Sequence, residues 1–115
     1  MKHVMNLQDA PYDLIQEGIK TVELRLYDEK RKTISVGDEI VFLRSSDQSA
    51  SLRCRVISLH RFASFEELYK NLPLLKCGYT EDNVADASPD DMELYYSKEK
   101  QSQYGVIGIE IELCR

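Results

Sequence analysis

Three ionisable side chains stand close together near the start of this chain: Lys20, Glu23 and Arg25, in the segment Gly18-Ile19-Lys20-Thr21-Val22-Glu23-Leu24-Arg25. On an extended strand, residues two apart share a face and lie about 7 Å apart along the backbone. Glu23 and Arg25 are therefore close enough to bias each other's ionisation and to offer a ligand an acceptor beside a forked donor. Lys20, or its neighbour Thr21, falls at the strand entrance and adds a compact positive charge. The bland alternative is a surface ion pair, worth at most about 1 kcal/mol. Spacing alone leaves both open.

The elements that would carry this trio can be read from periodicity and turn chemistry. His3–Leu7 reads as a first strand. Pro11 suits the first turn of a short helix bearing Tyr12, Leu14 and Ile15, and Gly18 supplies its stop. From Thr21 the period becomes two, with Val22, Leu24 and Leu26 on one face and Glu23 and Arg25 on the other. Tyr27–Ser35 is a polar, basic loop, and Val36-Gly37-Asp38 is a turn that Asp38 caps, opening a strand over Glu39–Leu43. A loop over Ser45–Ser49 leads to a long strand over Ser51–Leu59, which makes a hairpin with its predecessor. His60 follows at the strand end.

Ser64 and Glu67 have capping-box spacing, so a helix is expected over Phe65–Asn71, ended by Leu72-Pro73. Lys76–Ala87 reads as irregular. Ser88-Pro89-Asp90-Asp91 starts another helix, running over Met92–Lys98, with acidic groups where the helix dipole favours them. Gln101–Gln103 reads as a connector before a final strand over Gly105–Leu113. The mixed order implies an α+β fold, and closing the strands on themselves would remove exposed edges. The expectation is a small β-barrel of about five to six strands with two or three short flanking helices.

Composition narrows the function. A chain of 115 residues with 43% hydrophobic and 30% charged residues suits one packed domain over residues 1–115. The net charge of −5 argues against a protein that grips duplex nucleic acid over its whole surface. The charge is unevenly divided: residues 1–63 carry +1 and residues 64–115 carry −6. Cys54, Cys77 and Cys114 are odd in number and form no CxxC pair, so they read as reduced thiols in small apolar spaces, and no metal site or cofactor is expected. No apolar run approaches the roughly 18 residues that cross a bilayer. Met1–Met5 is followed by polar Asn6, Gln8 and Asp9 rather than by a signal core, so no membrane association and a cytoplasmic location are expected.

The signature Gly18-x-Lys20-x-x-Glu23-x-Arg25, the Val36-Gly37-Asp38 turn and the closing Tyr104-Gly105-Val106-Ile107-Gly108-Ile109 resemble the ASCH (activating signal cointegrator homology) domain of the PUA-like superfamily. The resemblance covers nearly the whole chain. It implies a β-barrel with a cleft between barrel and helices, lined by Lys20, Glu23 and Arg25, and binding of RNA or of a nucleotide or nucleoside. In that setting Tyr96, Ser97 and Tyr104 are further candidate ligand-binding residues, Tyr95 and Tyr96 offering flat faces on which a base can stack for about 1–3 kcal/mol. Some small bacterial members of the superfamily are N4-acetylcytidine amidohydrolases, which use a lysine, a threonine and a glutamate. Lys20 matches their lysine, but their threonine falls at Glu23. Were this chain an enzyme of that kind, Lys20 and Glu23 would have to be catalytic by another route, Glu23 activating water. Glu66 or Glu67 is the candidate for the remaining glutamate, and a protein-interaction module with no small ligand is a further alternative.

Overall fold

The computed structural model describes residues 1–114. Alternation builds its first strand: in β1 (Lys2–Leu7) His3, Met5 and Leu7 turn inward while Lys2, Val4 and Asn6 turn out. Helix α1 (Asp9–Gln16) holds Pro11 in its first turn and buries Tyr12 and Ile15, and Gly18 at φ +79° ends it. Strand β2 (Val22–Leu26) follows, then the basic loop, then β3 (Glu39–Arg44) behind a turn in which Asp38 accepts from the Ser35 amide at 2.9 Å. Asp38 also bonds the buried His3 imidazole at 2.8 Å, which more than any other contact lowers its carboxyl to about 2.

Strand β4 spans Asp47–Phe62, longer than the expected Ser51–Leu59. Arg44 pairs with Asp47, so only Ser45 and Ser46 are left for the turn and the expected loop becomes strand. A register shift between Val56 and Ser58 leaves Ile57 exposed. Helix α2 (Phe65–Asn71) starts as its cap predicts, with Ser64 Oγ accepting from the Glu67 amide at 3.2 Å. The next start signal gives a 3-10 helix over Pro89–Leu94 instead of an α-helix over Met92–Lys98. A separate helix, α3 (Lys98–Tyr104), occupies the expected connector. The break falls at Tyr95-Tyr96-Ser97, where Tyr96 packs inward and Ser97 begins a new helix by accepting from the Lys100 amide. Strand β5 is Val106–Leu113.

The fold is α+β, a five-stranded mixed half-barrel in the order β1-β3-β4-β5-β2. Pairing is antiparallel except for β1 with β3, which the expected run of hairpins did not include. Closure, the other expectation, is not reached: β1 and β2 are the two edges. The seam between them is crossed by side chains, Arg25 Nη2 donating to the Asn6 carbonyl at 2.8 Å and Lys30 Nζ to the Val4 carbonyl at 2.9 Å.

Two apolar clusters lie on opposite faces of β5. Ile107, Ile109 and Ile111 pack with Phe42, Tyr12 and Ile15, while Val106 packs with Leu24, Phe65 and Leu68 under α2. This is why Val106-Ile107-Gly108-Ile109 lacks a polar face. Gly108 lets Leu72 pack close against β5, since a Cβ there would sit 2.6 Å from Leu72 Cδ1 and that side chain would have to shift. Among the described residues no helix is long and apolar enough to cross a membrane. At the α3–β5 junction Gly105 adopts φ 74°, ψ −174°, a region almost exclusive to glycine, and a Cβ would lie 3.1 Å from the Phe62 carbonyl. Gly105→Ala should therefore lower stability by about 1–3 kcal/mol, read as a shift of the urea midpoint with unchanged m-value.

Candidate functional site

The trio converges. After Gly18 the chain folds back, Ile19 and Lys20 both donating their amides to the Leu14 carbonyl at 2.9 and 3.1 Å, and this turn delivers Lys20 to the foot of β2. Glu23 and Arg25 pair across β2–β5 with Ile109 and Ile107, so they sit on the inner face of the half-barrel, beside its open seam. Lys20 Nζ lies 2.7 Å from Glu23 Oε1, and Arg25 meets Glu23 Oε2 through Nε and Nη2, each at 2.7 Å. Each carboxylate oxygen thus has its own cation. Lys20 is 8% and Glu23 4% exposed, which rules out the solvated surface pair.

Burial pushes the Glu23 carboxyl up, but Lys20 and Arg25 outweigh it and hold the group below the usual glutamate range. Arg25 loses hydration too, yet Glu23 and then Tyr96 raise it above its ordinary value. The unit carries one net positive charge. It lies on the wall of a cleft of about 520 Å³ that Tyr69, Tyr79, Asp91 and Tyr96 also line. Tyr96 stacks on Phe65 with ring centroids 6.2 Å apart and planes at 16°, and burial pushes its phenol up although Arg25 opposes this. Cys77, also in the lining, is a buried thiol pushed up to about 11 by desolvation, a poor nucleophile at neutral pH.

Of the other anticipated residues, Tyr96 and the half-exposed Tyr95 line the cleft. Ser97 and Tyr104 do not: Ser97 caps α3, its hydroxyl turned to the Lys100 amide, and Tyr104 at the end of that helix packs against the cluster behind β2. Glu66 and Glu67 are also elsewhere, Glu66 on the α2 surface 3.5 Å from Lys70 and Glu67 accepting from the Ala63 amide. His60 is half-buried against Glu110 at a sheet end. Tyr69, Tyr79 and Asp91 were not anticipated as site residues. Tyr79 falls in the stretch read as irregular, Tyr69 within a helix with no polar signal, and Asp91 among the acidic groups read as favoured by the helix dipole. The turn Cys77-Gly78-Tyr79 was the available clue, and Gly78 lies directly over Lys20.

Glu23→Ala leaves two buried cations facing one another and should cost about 3–5 kcal/mol. The pH sense follows from the lowered carboxyl: its stabilisation is complete above the usual glutamate range and is lost as pH falls through the folded value. Acid unfolding followed by circular dichroism should be less steep for Glu23→Gln than for the native chain.

The model for the ASCH domain matches residues 5–115. The hypothetical protein PH0355 is 32% identical in a structural alignment covering 99% of this chain and 100% of that one, with a TM-score of 0.81. Protein PF0455 from Pyrococcus furiosus is 31% identical over 100% and 99% of the two chains, with a TM-score of 0.74. A mutant form of ZmASCH from Zymomonas mobilis, 12% identical and covering 95% of this chain and 66% of its own, shares the fold with a TM-score of 0.66. No curated protein matches the chain. The half-barrel, the placement of the Lys20, Glu23 and Arg25 signature in its cleft and the near full-length matches agree, and the chain belongs to the ASCH domain family.

Proposed function

We propose that this protein binds a nucleotide, a nucleoside or a short stretch of RNA in the cleft beside the half-barrel seam. The observation that carries this reading is one carboxylate clamped between two cations, which leaves a net positive, donor-rich wall in a cleft with tyrosine sides. The ammonium of Lys20 has hydrogens beyond the one directed at Glu23. Arg25 commits Nε and Nη2 to Glu23 and the Asn6 carbonyl, and the N–H groups of Nη1, in a guanidinium that also faces Tyr96, are the ones a phosphate or base edge would take. Glu23 spends both oxygens on these cations, so its part is to orient them. A cleft of about 520 Å³ is within the roughly 300–1,000 Å³ of small-ligand pockets. The acidic second half of the chain favours a small footprint over tracking a long backbone.

The geometry favours binding over amide hydrolysis. Glu23 stands where the amidohydrolases carry threonine, its lowered carboxyl is a weak base, and Glu66 and Glu67 stand outside the cleft. Titration with mononucleotides and short single-stranded RNA should give an affinity that weakens with salt. Arg25→Ala and Lys20→Ala should each weaken it about tenfold or more, the worth of a charge-assisted hydrogen bond. An affinity indifferent to salt and to both substitutions would refute the reading. Release of cytidine from N4-acetylcytidine above a Lys20→Ala control would establish the hydrolase instead.

A further inference from the structure

In the same cleft as the charged trio runs a chain of hydroxyls with a defined direction. Tyr79 Oη donates to Asp91 Oδ2 at 2.7 Å. Tyr69 and Tyr79 share a hydrogen bond of 2.7 Å between their hydroxyls. Each phenol has one hydrogen, and a carboxylate can only accept. Asp91 therefore takes the hydrogen of Tyr79, and the bond between the tyrosines must be donated by Tyr69. With its hydrogen spent, Tyr69 has only lone pairs left for anything else in the cleft.

Two further features hold this direction. Asp91 is anchored by the capping box, its Oδ2 accepting also from the Ser88 amide at 3.2 Å. The rings of Tyr69 and Tyr79 pack edge to face, with centroids 5.8 Å apart and planes at 79°. Burial first, then the bonds to Tyr69 and Asp91, hold the Tyr79 phenol protonated well above its ordinary range. All three residues line the same cleft as Lys20, Glu23 and Arg25.

We infer that Tyr69, polarised through Tyr79 by Asp91, is a specificity-determining acceptor that selects ligands presenting an exocyclic amino group over those presenting a carbonyl at the same position. This rests on the nucleotide-binding reading and deepens it. Both Glu23 oxygens are already turned to Lys20 and Arg25, whereas the Tyr69 oxygen faces no cation among the described residues and donates its one hydrogen to Tyr79. A carbonyl facing Tyr69 meets lone pairs with lone pairs and stays unpaired, a mismatch that sites built on directed hydrogen bonds reject.

The test uses two ligand pairs that exchange an amino group for a carbonyl, with the neighbouring ring nitrogen changing from acceptor to N–H donor: cytidine with uridine 5′-monophosphate, and adenosine with inosine 5′-monophosphate. The native chain should bind the amino member of at least one pair about tenfold more tightly. Tyr79→Phe keeps the ring packing and frees the Tyr69 hydrogen, so it should raise affinity for the carbonyl member and bring the ratio near one. A merely structural role for Tyr79 would weaken both members alike. Tyr69→Phe should lose the preference by weakening the amino member alone. Equal binding within both pairs by the native chain, or a preference that survives both substitutions, overturns the inference while leaving the binding reading intact. Absence of any binding dependent on Arg25 overturns the reading and the inference together.

Discussion

One carboxylate organises the functional half of this molecule. Glu23 is withdrawn from water, and a buried charge survives only if it is paired and hydrogen-bonded on all sides. Lys20 and Arg25 meet that condition from different directions, one from the turn that ends α1 and one from β2 itself. The three side chains thereby tie helix end, strand and cleft wall into one unit. Arg25 extends it across the seam to the Asn6 carbonyl of β1. The same contacts that stabilise the buried acid aim donors at the cleft, so stability and ligand chemistry share atoms here.

The open seam is the architectural counterpart of that pairing. A sheet edge exposes main-chain groups that invite pairing with another chain, and proteins blunt such edges with charged side chains. Here Arg25 and Lys30 occupy the carbonyls of Asn6 and Val4 along the β1 edge. A closed barrel would fill its interior with apolar side chains. Leaving β1 and β2 apart admits a charged trio and the cleft beside it.

The acidic second half of the chain contributes through position rather than net charge. The 3-10 helix over Pro89–Leu94 carries Asp91 to the cleft, where it serves at once as a cap for its own turn and as the terminus of the tyrosine chain. Its neighbours Asp90 and Glu93 face the other way, toward Lys98. The cleft therefore brings donors from the basic first half together with acceptors from the acidic second half.

Local signals in the sequence were enough for much of the fold and for the centre of the site. Period-two alternation marked β2, the Val36-Gly37-Asp38 turn opened β3, Ser64 and Ser88 marked helix starts, and the Lys20, Glu23, Arg25 spacing marked the trio, because these depend on neighbours a few residues apart. The α3 start at Ser97 was hidden by the stronger signal at Ser88, and β4 was cut short because its hairpin turn needs only two residues. Tertiary structure alone decided that the sheet stays open, that β1 runs parallel to β3, that Ser97, Tyr104, Glu66 and Glu67 lie outside the cleft, and that Tyr69, Tyr79 and Asp91 meet inside it. The parallel pairing of Lys2 with Glu39 and the meeting of Tyr69 with Tyr79 and of Tyr79 with Asp91 turn on contacts between residues 10 or more positions apart, where no spacing rule operates and packing of whole elements determines which side chains share a cavity.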